Sequence, residues 1–147
     1  MATGWSGVDP SRWAENKDKL LTALLRNSVQ ELAKEAGSTI PNGGRVPVRT
    51  GNLARSVVVD NKPPVRDAEG VVHTMSADFS LGVAGLKPGD TIYIGWTAIY
   101  ARRMNYGFVG DDSLGRTYNQ SGFGFAEAAA SKWDGIVKAQ AAKLGGR

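Results

Sequence analysis

The chain has 147 residues, 22% of them charged and 41% hydrophobic, a size and balance that fit one globular domain. It has no cysteine, which excludes disulfides, thiolate metal sites and thiol nucleophiles. Its 18 basic and 14 acidic side chains leave a net charge of +4, short of the dense positive field of a dedicated nucleic-acid binder. No run approaches the roughly 20 apolar residues of a membrane helix. The start Met-Ala-Thr-Gly-Trp-Ser lacks the charged and apolar regions of a signal peptide, so we expect a soluble, unexported protein.

After an N-terminal arm, residues 1–9, the first element is a helix over 10–36. Asp9 is placed to cap it, Pro10 to sit in its first turn and Gly37 to close it. Trp13, Leu20, Leu21, Leu24, Leu25, Val29, Leu32 and Ala36 recur at three- and four-residue steps. At 1.5 Å per residue the rod is about 40 Å long, enough to outreach its own sheet and offer part of its stripe to a neighbour. Residues 37–49 read as a loop because of Pro41, Gly43, Gly44 and Pro47. A capped helical turn at Thr50-Gly51-Asn52-Leu53 then leads through Ser56 into a strand at Val57-Val58-Val59. Residues 61–70, with Pro63 and Pro64, form a second loop.

From His73 to Val83, apolar odd positions alternate with polar even ones, the period of a strand with one covered face. Turn residues 84–90 and a second alternation at Ile92, Ile94 and Trp96 complete an expected hairpin, and residues 50–97 become the sheet region. Residues 98–106 suit a short helix stopped by Gly107. Residues 107–124 read as a long loop, functional or disordered, 125–144 as a closing helix and 145–147 as a tail. The predicted fold is α+β: a small antiparallel sheet, one face covered by the two long helices, with long loops.

Catalytic constellations are sparse. The single histidine, His73, rules out two-histidine zinc motifs, and no serine lies in a G-x-S-x-G elbow. His73 reads as a partly buried residue at the sheet edge. Asp111-Asp112 has carboxylates for a divalent ion but no completing ligands, so a solvated loop or an ion pair is favoured. We therefore expect no enzyme activity, no cofactor and no metal. Arg45, Arg49, Arg55, Lys62 and Arg66 cluster in sequence; they read as a solvated or subunit-contacting surface, with contact to DNA phosphate as the alternative. Tyr100, Arg102, Arg103, Tyr106, Phe108, Arg116, Tyr118 and Phe123, with Trp13, read as subunit interface in preference to base stacking.

Two stretches carry a resemblance. Val46-Pro47-Val48-Arg49-Thr50-Gly51-Asn52-Leu53-Ala54-Arg55-Ser56-Val57 resembles the P-V-x-T-G-x-L-x-x-S signature of the bacteriophage tail-completion, or neck, proteins. Tyr93-Ile94-Gly95-Trp96, then Tyr100-Ala101 and Tyr106-Gly107, is similar to that family's second signature, although Asn105 stands where the family usually has Glu. The resemblance implies a structural subunit of the head-tail junction, in the virion neck after assembly in the host cytoplasm. Such a subunit forms a homo-oligomeric ring, typically six-fold, against tail tube, terminator and connector proteins. It implies an elbow in which Thr50 caps, Gly51 permits a conformation other residues resist, Leu53 plugs the core and Ser56 hands the chain to the sheet. A tail terminator of the same junction, or a nucleic-acid-binding module using the basic segment, are the alternatives.

Overall fold

The computed structural model describes residues 9–145. Helix α1 (Pro10–Ala36) starts where the sequence places it: the Asp9 carboxylate accepts from the Ser11 backbone N–H at 2.9 Å, and Pro10 fills the first turn. Its C-terminal half buries Val29, Ala33 and Ala36, whereas Pro10 to Leu20 are all exposed. The chain then makes a 3₁₀ turn (Ile40–Asn42) and returns through a parallel bridge between Thr39 and Val46. The 37–49 stretch is thus tied to the body, with Val46 fully buried.

Helix α2 (Asn52–Arg55) leads into β1 (Val57–Asp60), which pairs antiparallel with β2 (Tyr93–Trp96) in the register Val57 to Trp96 and Val59 to Ile94. The expected hairpin between 73–83 and 91–96 does not form. Residues 73–79 lie outside any strand, and Ser80–Ala84 is helix α3. The stretch carries two periods at once. Alternation would bury Met75 and Leu81, which are both exposed, while Phe79, Val83 and Leu86, at steps of four and three, form a helical stripe on Val29. The Asp78 carboxylate accepts from the Ser80 N–H and hydroxyl at the helix start, and Gly82 lies on the Val59 carbonyl so closely that a Cβ would sit 2.2 Å from its oxygen. The helical period wins because it delivers Val83 and Leu86 to the core.

Helix α4 (Ala101–Tyr106) ends at Gly107, whose φ of +88° favours glycine. Residues 107–124 are not the long loop that their glycines suggest. Strands β3 (Gly107–Asp111) and β4 (Thr117–Ser121) form an antiparallel hairpin, so the described residues hold two separate two-stranded sheets instead of one. The five residues 112–116 connect the strands, with Gly115 in the left-handed region, and the Asp112 carboxylate accepts from the N–H groups of Leu114 and Arg116. The closing helix is broken in two at Lys132: α5 (Phe125–Ser131) and α6 (Trp133–Gly145). Phe125 of α5 packs with Val46, Leu53 and Ala98, edge to face on Trp96 at 4.8 Å. Trp133 of α6 packs on the Val29 cluster instead. The fold is α+β, and α6 runs antiparallel to α1: Lys132 pairs with Glu35 at one end, and Leu144 shares a groove with Leu20 and Leu21 at the other.

Candidate assembly surface

The elbow at residues 46–57 is built from the core outward. Leu53 is buried in the Phe125 cluster, and Gly51 holds φ +82°, a conformation that a side chain resists. Ser56 is fully buried; its hydroxyl donates to the Leu53 carbonyl at 2.7 Å and its own carbonyl accepts from Thr97 N–H at 3.0 Å, turning the chain into β1. Thr50 is not the cap. Gly51 occupies that position, and the Thr50 hydroxyl approaches only the Asn52 N–H, at 3.4 Å.

Asn52 is the residue that sequence reasoning missed. It is buried, its side-chain amide donates to the Tyr100 hydroxyl at 3.0 Å, and its carbonyl oxygen accepts from the His73 N–H at 2.6 Å. One amide thereby ties the elbow, the start of α4 and the strap of residues 61–79 together. Between elbow and α4 lies a groove of about 640 Å³ lined by Pro47, Val48, Arg49, Tyr100, Met104 and Gln120 among others. Asn105 plays a matching part on the other side of α4. Its oxygen accepts from Ala126 N–H in the first turn of α5, and its amide donates to both Glu127 carboxylate oxygens at 3.0 Å. An amide can accept and donate at once, which a carboxylate cannot do toward Glu127.

His73 lies in the strap and not on a strand. Asp67 Oδ2 stands 2.6 Å and Thr97 Oγ1 3.3 Å from the same ring nitrogen, Nε2. A Ser-His-Asp-type proton relay needs the carboxylate on one imidazole nitrogen and the hydroxyl on the other; here both meet the same nitrogen, and the trio fastens the strap. Thr97 also donates to Asp67 Oδ2 at 3.1 Å. Among the described residues no group of three or more carboxylate or imidazole side chains is placed to hold a metal ion.

The expected interface residues divide into three groups. Tyr100, Arg103, Phe108 and Tyr118 surround a cleft of about 450 Å³ between α4 and the hairpin, where the Arg103 guanidinium lies 4.2 Å above the Phe108 ring. Arg116 stands beside them, its Nε on the Asp112 carboxylate, so the acidic pair serves the turn within its own chain. Hydrogen bonds hold the Asp112 carboxyl below the usual carboxylate range, the Arg116 N–H contributing most, and its negative oxygen in turn raises the Tyr118 hydroxyl. Tyr106, at 68% exposure, and Arg102 face solvent on α4, while Trp13 stands exposed at the far end of α1. Phe123, by contrast, packs half-buried against the Phe125 cluster and belongs to the core.

The basic segment is dispersed. Arg45 borders a groove with Glu127 and Lys132, Arg49 lines the elbow groove, and Arg66 shares a third cleft with Asp67, Glu69 and Arg103. Arg55 folds over Gly51 and donates to the Thr50 carbonyl at 3.1 Å; Lys62 is exposed beyond β1. No single cleft gathers the five. Comparison with protein-family models, curated proteins and solved structures finds no match.

Proposed function

We propose that this chain is a non-enzymatic structural subunit of a bacteriophage head-tail junction, working as one copy in a ring. The phage assignment rests on the resemblance of residues 46–57 and 93–107 to the tail-completion proteins. Supporting it, those two segments, 48 positions apart at their contact, meet through the Asn52 to Tyr100 hydrogen bond and form opposite walls of one groove.

The observation that carries self-association is the exposed N-terminal part of the α1 stripe. Trp13, Leu20 and Leu21 are 56%, 43% and 53% exposed on the stripe whose continuation builds the core. Covering three such half-exposed side chains in a neighbour contributes on the order of 1 kcal/mol each. A contact in which one patch of a subunit meets a different patch of the next is heterologous, and rotation closes it into a ring. The tyrosines and arginines around the hairpin supply directional contacts for the same interface or for tail tube, terminator and connector subunits.

Native mass spectrometry and sedimentation of the purified chain, alone and mixed with tail-tube or connector subunits, test the reading. The expected result is a closed multimer. A chain that remains monomeric under all these conditions overturns it.

A further inference from the structure

Hairpin β3–β4 is poorly sheltered by the rest of the fold. All five residues of β4 are exposed, and among the described residues no third strand borders either β3 or β4. A lone two-stranded hairpin is marginal in water. Natural proteins also guard a free strand edge with charge, proline or a bulge. Thr117-Tyr118-Asn119-Gln120-Ser121 has no charge and no proline. The pairing runs without a bulge from Gly107–Ser121 to Asp111–Thr117.

The edge has a definite polarity. The Asp112 N–H donates to the Arg116 carbonyl at 2.9 Å, which makes that pair a hydrogen-bonded one. Antiparallel alternation from there turns the N–H and C=O groups of Tyr118 and Gln120 toward β3. Those of Thr117, Asn119 and Ser121 turn outward, as do those of Val109 and Asp111 on the far side of β3, whereas the Gly107 N–H is already taken by the Arg103 carbonyl at the end of α4. The two outward rows have the same spacing and opposite chain direction. Joined across two molecules they bring Asp111 against uncharged Thr117, Asn119 or Ser121, so no like charges oppose. The chemistry that satisfies either edge is an extended backbone, and a second copy of this hairpin supplies it in matching register and length.

We propose that β4 of one subunit pairs antiparallel with β3 of the next, so that the hairpins join into a continuous inter-subunit sheet. The inference rests on the self-association reading above and specifies how the contact is made. The hairpin remains anchored to its own body by the bonds from Phe123 N–H to the Met104 carbonyl and from Gly124 N–H to the Asn105 carbonyl.

Hydrogen exchange of the full chain, read by NMR or mass spectrometry at low and high concentration, tests it. Assembly should slow the amides of Thr117, Asn119, Ser121 and Val109 by about tenfold or more, while Tyr118 and Gln120, bonded within the hairpin, change little. Asn119→Pro removes an outward donor without touching the internal ladder, and it should weaken association by about tenfold or more while the hairpin's own cross-strand signals persist. An assembly of wild-type size in Asn119→Pro, with Thr117 and Ser121 still exchanging fast, overturns the strand pairing and leaves self-association standing. A closed dimer protecting β4 but not Val109 overturns the β3 partner. A wild-type chain that never associates removes both proposals.

Discussion

The Asn52 side-chain amide donates to the Tyr100 hydroxyl at 3.0 Å from a buried position, joining an elbow and a helix start that are 48 residues apart. The same side chain accepts from His73 N–H, so three segments depend on one amide. Asn52→Ala leaves two partners unsatisfied and should cost about 2 kcal/mol in urea unfolding. Tyr100→Phe removes one bond and should cost about 1 kcal/mol. A larger loss in Tyr100→Phe than in Asn52→Ala would contradict this ranking.

Gly51 at φ +82° predicts an asymmetry within the elbow. Gly51→Ala forces a side chain into the left-handed region, against the Arg55 guanidinium 3.1 Å away, and should destabilise by about 1–2 kcal/mol. Thr50→Ala, losing only a 3.4 Å approach to Asn52, should change stability by less than about 0.5 kcal/mol. Thermal melts of the two variants side by side decide the point.

The hairpin turn has an acid limit. The Asp112 carboxyl is held below its ordinary value, so its stabilising bonds are fully present above the unfolded carboxylate pKa and are lost as pH falls through the lower folded value. Tyr118 shifts the other way: its contribution is complete below the unfolded tyrosine pKa and is lost as pH rises through the raised folded one. Following Leu114 and Arg116 amide shifts by NMR should show acid loosening in wild type and none in Asp112→Asn. Identical acid profiles for the two would exclude the carboxylate as the cause.

Trp13, Leu20 and Leu21 separate stability from assembly. The triple change Trp13→Ser, Leu20→Ser, Leu21→Ser removes side chains that the monomer leaves about half exposed, so its unfolding free energy should fall by no more than about 3 kcal/mol, roughly 1 kcal/mol per half-buried side chain, while association weakens by more than tenfold. Calorimetry and sedimentation read the two quantities independently. A collapse of monomer stability would place these residues in the core instead.

Helix α1 and the elbow were legible because local chemistry and burial agree there. Asp9, Pro10 and the apolar stripe announce the helix, and Gly51 and Leu53 do what their types suggest. Residues 73–83 misled because alternation and helical spacing coexist, and only the tertiary position of Val29 selects the second. The β3–β4 hairpin was hidden by its glycines and by the absence of an apolar face, since a solvated hairpin has no reason to alternate. Its signal was Asp112-Ser113-Leu114-Gly115, a turn-forming sequence between two residue runs of equal length. The roles of Asn52 and Asn105 depend on partners at Tyr100 and Glu127, and no spacing rule within one segment reveals such pairs.

The pairing of α1 with α6 joins helices far apart in the chain, Leu20 and Leu21 sharing a groove with Leu144 and Glu35 meeting Lys132 across 97 positions. During translation at about 5–20 residues per second, the first helix leaves the ribosome roughly 5–20 s before the helix that shields it. Over that interval its uncovered leucines can meet the same helix on another nascent chain. Synthesis therefore imposes a delay in which misassembly competes with folding, and the molecule is exposed to it by chain order alone.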